Sequence, residues 1–128
     1  MANPIRILVI DDDLDFLDFV RIVLSANGYQ VETAPTAQEG LDKMRAQPPD
    51  LVIVDVMMSY VLDGWSVSRE MRFDPNLCNI PVLMVSAIVS DQNDPLFPGR
   101  EQCRVDAFMS KPLDPKGLLR RISELVSK

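Results

Sequence analysis

The stretch Leu51-Val52-Ile53-Val54-Asp55-Val56-Met57-Met58 decides the fold, because it is an apolar run interrupted by a single carboxylate and entered from Pro48-Pro49-Asp50. A short apolar run rich in β-branched residues is typical of a strand buried on both faces of a parallel sheet. Asp55 would stand at the carboxyl end of that strand. Open α/β sheets bind their ligands just outside the carboxyl ends of their strands, so Asp55 is a candidate site residue. Aspartate also commonly ends a strand as a solvated turn residue, and this stretch alone does not decide between the two.

The rest of the chain alternates between predicted strands and predicted helices. Apolar or alternating runs predict further strands at residues 5–10, 29–33, 80–85 and 107–110. Amphipathic stretches predict helices at residues 14–26, 65–72 and 100–104. Two further helices are predicted to begin directly after the capping residues Thr36 and Asp114. This alternation predicts a parallel sheet with helices on both faces, a three-layer α/β fold. A length of 128 residues fits one domain, residues 1–128.

Composition narrows the classes of function. The formal net charge of −6 argues against a nucleic-acid or membrane-surface binder, which would need a basic face. No leader pattern and no apolar run near the ~18 residues of a membrane span is visible, so we expect a cytoplasmic chain that binds neither nucleic acid nor membrane. Cys78 and Cys103 lack metal-site spacing, and a chain without His cannot form a Cys/His zinc site.

Polar residues that follow four of the strands are predicted to converge. Asp11 and Asp12 follow the first strand, Asp55 ends the third, Ser86 follows the fourth and Lys111 follows the fifth. Clustered carboxylates repel one another unless a cation lies between them, and a ligand set of oxygens alone favours Mg²⁺. Ser86 and Lys111 could neutralise and hydrogen-bond a phosphoryl group beside that ion. Asp55 is then the candidate nucleophile, since a carboxylate can carry a phosphoryl group as an acyl phosphate.

With these residues in place, the chain resembles the receiver domain of two-component response regulators. The resemblance covers nearly the whole chain and rests on Ile7 to Asp13, Asp55, Asp63-Gly64, Ser86-Ala87, Phe108 and Lys111-Pro112. It implies a flavodoxin-like sheet of order 2-1-3-4-5. It also implies a signalling switch rather than a conventional enzyme, one that catalyses only its own phosphoryl transfer and dephosphorylation. Asp55 would take its phosphoryl group from a histidine kinase or a histidine phosphotransfer protein.

The resemblance further assigns a role to each site residue. Asp12, Asp55 and the backbone carbonyl of Met57 would bind Mg²⁺ directly, and Asp11 would act largely through water. The phosphoryl group would be contacted by Ser86, Ala87 and Lys111. Ser86 and Phe108 would form the switch that changes the face built from the fourth helix, fifth strand and fifth helix, where a downstream protein target binds.

Met57 and Ile88 would tune dephosphorylation, because in the family these positions line the route of the hydrolysing water. Both side chains are apolar and cannot orient water by hydrogen bonding, so we expect slow self-dephosphorylation. The measurement is the decay of phosphorylated Asp55 without a phosphatase, in the wild type and with polar residues at both positions. Rapid decay in the wild type, or no change on replacement, would contradict this expectation.

Two departures from the family pattern leave the assignment open. The loop over residues 58–63 is longer than usual, and so is the segment from Ser86 to Lys111. The chain could therefore be a receiver-fold interaction module that acts without phosphorylation. It could also be a haloacid-dehalogenase-like phosphatase, with Asp11 as nucleophile and Asp13 as acid/base, or a flavodoxin-like cofactor binder.

Overall fold

A computed structural model describes residues 4–55, 63–86, 106–111 and 113–126 of the chain. The end of the central apolar stretch, the loop over residues 58–62 and the predicted helix at residues 100–104 lie outside the described residues.

Five parallel strands form one sheet. They are β1 (Arg6–Ile10), β2 (Gln30–Ala34), β3 (Leu51–Asp55), β4 (Val82–Ser86) and β5 (Ala107–Ser110), in the order β2-β1-β3-β4-β5. The order predicted from the family resemblance is confirmed. In this order β3 lies in the centre, with β1 on one side and β4 on the other.

The fourth strand begins later than the sequence predicted, at Val82 rather than at residue 80. The Ile80 N–H donates to the Leu77 carbonyl in a turn, and Pro81 has no N–H to donate to a neighbouring strand. The Val82 N–H donates to Asp106 Oδ2 at 2.8 Å, and ladder pairing with β3 starts at this residue. A local turn and one proline therefore shorten the strand.

Four helices lie in the described ranges: α1 (Leu14–Ser25), α2 (Ala37–Ala46), α3 (Asp63–Arg72) and α4 (Pro115–Val126). Asp13 and Thr36 are the N-caps of α1 and α2, because their side chains accept hydrogen bonds from first-turn N–H groups. Asp114 Oδ2 accepts from the Gly117 N–H at 3.0 Å, which confirms the predicted cap of α4. The third helix begins at Asp63 rather than at residue 65. None of the helices in these ranges is long and apolar enough to cross a membrane.

The core consists of two layers, one on each face of the sheet. Leu8 and Ile10 of β1 point to the layer that contains buried residues of α2 and α3. Ile7 and Val9 point to the opposite layer, which contains buried residues of α1 and α4. Every residue of β3 is buried, as expected for a central strand covered on both faces. The predicted three-layer arrangement is confirmed, and it leaves the carboxyl ends of the strands as the edge where polar side chains meet.

Candidate functional site

Two buried carboxylates mark the carboxyl edge of the sheet. Asp11 directly follows β1 and is 0% exposed, while Asp55 is the last residue of β3 and is 5% exposed. The Asp11 N–H donates to the Ala34 carbonyl of β2, which continues the sheet pairing past the end of β1. Asp11 Oδ1 accepts a hydrogen bond of 2.9 Å from the Asp13 N–H. The sheet and the turn that starts α1 together fix the orientation of the Asp11 carboxylate.

Asp12 completes a cluster of three carboxylates with Asp11 and Asp55. One oxygen from each side chain lies within 4.8 Å of the others. Asp12 is exposed, so the cluster is open to solvent on its side. An oxygen-only set of three carboxylates suits a hard divalent cation such as Mg²⁺.

Lys111 follows β5 and places its ammonium group against the same cluster. Lys111 Nζ donates to Asp11 Oδ2 at 2.7 Å and lies 3.5 Å from Asp55 Oδ2. The lysine side chain is only 18% exposed. Three carboxylates and one ammonium leave this group of described residues with two formal negative charges, a charge that one divalent cation would balance.

Burial and pairing shift the pKa values of the two groups that form the short ion pair. Burial disfavours a charged carboxylate and raises the pKa of Asp11, although the hydrogen bond from Lys111 opposes this effect. Burial also works to lower the pKa of Lys111, but the hydrogen bond and charge of Asp11, together with the charge of Asp55, outweigh it and raise that pKa. Lys111 therefore stays protonated, and a positive charge is held beside Asp55 at neutral pH.

Phe16, in the first turn of α1, contacts Lys111 and was missed by the sequence analysis. Lys111 Nζ lies 4.2 Å from the centroid of the Phe16 ring, within the range of a cation–π interaction. A phenylalanine near the start of a helix normally indicates a core residue, so the type of residue gave no functional signal. The only signal in the sequence was its position, five residues after Asp11 and in the first turn of the helix that follows β1.

The two predicted switch residues lie on neighbouring strands of the sheet. Ser86 ends β4 and pairs in register with Ser110 of β5. Phe108 lies in β5, is half-buried and packs against the core layer that contains α2 and α3. Met57, Ala87 and Ile88 lie outside the described residues, so their predicted roles stay predictions.

The three consecutive aspartates in the turn between β1 and α1 have different roles. Asp11 and Asp12 face the cluster, whereas Asp13 Oδ1 accepts hydrogen bonds from the N–H groups of Asp15 and Phe16 and caps α1. Asp13 is therefore a helix-start residue and not a member of the carboxylate cluster.

Comparison of the sequence with known families agrees with this geometry. A family model described as the response regulator receiver domain matches residues 7–123. Response regulator MprA of Mycolicibacterium vanbaalenii is 37% identical over 127 residues, which is 98% of this chain and 52% of that protein. The DNA-binding dual master transcriptional regulator RpaA of Synechocystis is 34% identical over 96% of this chain and 49% of its own length. The chain thus spans about half the length of the curated relatives it matches.

Solved structures show the same similarity along almost the full chain. Chemotaxis response regulator CheY4 of Vibrio cholerae superposes with a TM-score of 0.84 at 26% identity, covering 96% of this chain and 99% of that one. A CheY-like receiver domain protein from Methanospirillum hungatei superposes with a TM-score of 0.83 at 30% identity, covering 98% of this chain and 95% of that one. Receiver domains of this family are signalling domains rather than conventional enzymes. The chain belongs to the response regulator receiver domain family.

Proposed function

We propose that the chain, residues 1–128, is a phosphoacceptor switch that takes a phosphoryl group on Asp55. The observation that carries this proposal is the position of Asp55 at the end of a buried central strand, 3.5 Å from the ammonium group of Lys111 and within one cluster with Asp11 and Asp12. This arrangement supplies a nucleophilic carboxylate, a fixed positive charge and oxygen ligands for a cation.

The donor is a phosphohistidine on a histidine kinase or a histidine phosphotransfer protein. An oxygen of Asp55 attacks phosphorus, the bond between phosphorus and the imidazole nitrogen breaks, and a bond between phosphorus and the Asp55 oxygen forms. The imidazole nitrogen keeps the electron pair of the broken bond and takes up a proton. Lys111 lies where its ammonium can stabilise the negative charge on the phosphoryl oxygens.

Asp11, Asp12 and Asp55 would hold Mg²⁺, with the carbonyl of Met57 as a further proposed ligand. When bound, the ion offsets the repulsion among the carboxylates and polarises the phosphoryl group. Three oxygen donors with a formal charge of −3 fit a hard divalent cation, and they remain accessible through exposed Asp12.

The output of the switch is a change of conformation that alters binding of a downstream protein target. We assign Ser86 and Phe108 to this step: they lie on the neighbouring strands β4 and β5, and Phe108 packs against the core rather than being fully exposed. Ser86 and Ala87, together with Lys111, are proposed to contact the phosphoryl group. The cytoplasmic location expected from the sequence stays a prediction.

The contacts of two aspartates argue against a haloacid-dehalogenase-like phosphatase. Its nucleophile would be Asp11, which is fully buried and bonded through both carboxylate oxygens, to Lys111 and to the Asp13 N–H. Its acid/base would be Asp13, whose Oδ1 caps α1. The position of Asp55 supports its proposed role as phosphoacceptor, whereas the phosphatase assignment would need Asp11 and Asp13 to leave their structural contacts.

The test is phosphorylation by a small phosphodonor. Wild-type chain and Asp55→Asn are incubated with Mg²⁺ and acetyl phosphate, and the position of any added phosphoryl group is found by mass spectrometry. We expect label on Asp55 in the wild type and none in Asp55→Asn, because an amide cannot form the acyl phosphate.

The matched control is Asp11→Asn, which separates the switch from the phosphatase. Steady phosphodonor turnover that survives Asp55→Asn and disappears in Asp11→Asn would overturn the proposal in favour of the phosphatase. A wild-type chain that takes no label from the small donor or from a phosphorylated histidine phosphotransfer protein would indicate the interaction module that acts without phosphorylation.

Mg²⁺ is expected to stabilise the wild-type chain against unfolding, since the folded state gathers three carboxylates that the unfolded state separates. At a concentration ten times the dissociation constant, the free energy of unfolding should rise by about 1.4 kcal/mol. Asp12→Asn should remove most of this increase, because it deletes a proposed ligand without disturbing a buried side chain. The measurement is urea unfolding with Mg²⁺ and with EDTA.

Asp15→Asn is the control for Mg²⁺ binding, because Asp15 is an exposed aspartate of the first turn of α1 outside the carboxylate cluster. It should respond to Mg²⁺ as the wild type does. Equal stabilisation of Asp12→Asn and the wild type would contradict a magnesium site at this cluster.

A further inference from the structure

We propose that Phe16 is a positioning residue for Lys111, holding the lysine ammonium beside Asp55 with the face of its aromatic ring. Lys111 Nζ lies 4.2 Å from the ring centroid while it donates to Asp11 Oδ2 at 2.7 Å. The inference deepens the proposed function, and its effect on the rate of phosphorylation rests on that function.

The ring and Asp11 are fixed by the same short segment of chain. The Asp13 N–H donates to Asp11 Oδ1, and Asp13 Oδ1 accepts a hydrogen bond from the Phe16 N–H at 3.3 Å. One turn thereby sets the positions of two of the groups that surround the ammonium. Phe16 is half-buried and packs against the core layer that contains α1 and α4. A ring held by both a capped helix start and core packing has little freedom to move away.

The aromatic face attracts the ammonium in a way that the carboxylates cannot replace. A cation bound among Asp11, Asp12 and Asp55 would draw on the same carboxylate charge that now holds Lys111. The ring is uncharged and offers no oxygen ligand, so it does not bind that cation, and its attraction for the ammonium persists. The contact with Phe16 therefore contributes most to the position of Lys111 when a metal ion binds the same carboxylates.

The ring also limits the directions in which the lysine side chain can move. With carboxylates near one side of the ammonium and an aromatic face on another, the side chain is left only 18% exposed. Without the aromatic face, an aliphatic residue would still fill space but would offer no electrostatic attraction to a positive charge. The ammonium would then spend a larger share of its time in water, away from Asp55.

The first readout is the position of the lysine itself, measured by NMR without phosphorylation. Protons above an aromatic face are shielded by the ring current, so the ε-CH₂ protons of Lys111 should resonate upfield of those of exposed Lys116. Isotopically labelled lysine gives a small set of signals, from Lys43, Lys111, Lys116 and Lys128. The signal of Lys111 is the one that is absent from the spectrum of Lys111→Arg. Phe16→Leu should abolish the upfield shift, and Phe16→Tyr, which keeps the ring face, should retain it.

The second readout is the rate at which acetyl phosphate labels Asp55 in the presence of Mg²⁺. Phe16→Leu keeps an apolar side chain but removes the aromatic face, and it should slow labelling by about 3- to 10-fold, the factor expected for loss of one partly exposed cation–π contact. Phe16→Tyr should restore the wild-type rate. The matched control is Phe19→Leu, because Phe19 is the other phenylalanine of α1 and packs half-buried against the same core layer.

The proposal is overturned if Phe16→Leu leaves the Lys111 ε-CH₂ shift unchanged, or if it slows labelling no more than Phe19→Leu does. It is also overturned if Phe16→Tyr is as slow as Phe16→Leu, since loss of close packing would then explain both. A wild-type chain that takes no label would refute the proposed function instead. In that case the Lys111 shift alone decides whether the ring holds the ammonium.

Discussion

Replacement of Lys111 with methionine is expected to slow phosphorylation of Asp55 by about 10²–10³-fold, the usual effect of deleting one fixed group that stabilises charge in a transition state. Lys111 Nζ lies 3.5 Å from Asp55 Oδ2, so its charge lies beside the carboxylate that would attack phosphorus. Methionine has a similar length and an apolar stem, so it can fill the space beside Phe16 without supplying a positive charge. The measurement is the initial rate of acetyl phosphate labelling with saturating Mg²⁺.

Lys116→Met is the matched control, because it removes an exposed lysine from the first turn of α4 with the same change in net charge. Its labelling rate should equal that of the wild type. Lys111→Met also leaves buried Asp11 without its ammonium partner, so far-UV circular dichroism must show that the variant is folded during the assay. Labelling of folded Lys111→Met at a rate close to the control would contradict the proposed role of the lysine.

The arrangement of the strands and the convergence of the acidic residues with Lys111 could be predicted from the sequence. The parallel sheet and this convergence follow from local patterns, because the strands are short apolar or alternating runs and parallel strands connected by helices bring their carboxyl ends to one edge. The strand order itself was implied by the family resemblance. Asp11, Asp55 and Lys111 each lie within one residue of a strand end, so the topology alone was enough to bring them together.

The contact between Phe16 and Lys111 could not be predicted in the same way. The two residues lie on different elements far apart in the chain, and their contact depends on the side-chain packing of α1 beside the end of β5. Helical periodicity places Leu17, Val20 and Leu24 in the core, but it does not say which neighbour covers a charged group. The late start of β4 was missed for a related reason, because a turn hydrogen bond of Ile80 competed with an apolar pattern that favoured a strand.

The close packing of α2 against β1 was also not predicted from the sequence. A substitution at this contact is expected to lower the free energy of unfolding strongly. Gly40 is buried in α2, where a Cβ atom would meet the side chain of Ile10 and lie 2.7 Å from its Cγ1. Ile10 is 0% exposed and has little room to turn away. Gly40→Val should therefore lower the free energy of unfolding by about 2–3 kcal/mol, the cost of overpacking a filled core. Urea unfolding monitored by circular dichroism measures the change.

The control for Gly40→Val is the same substitution in another helix, Gly117→Val in α4. A Cβ atom at Gly117 meets nothing closer than Asp114 Oδ2 at 3.4 Å, so only the difference in helix propensity remains, less than about 1 kcal/mol. Ile10→Ala removes the atoms that Gly40→Val would strike. The two changes together should therefore destabilise the fold by at least about 1 kcal/mol less than the sum of the single effects. Additive effects, or equal losses at Gly40 and Gly117, would contradict a requirement for glycine at the contact with β1, because valine has a higher helix propensity than glycine and propensity alone predicts no loss.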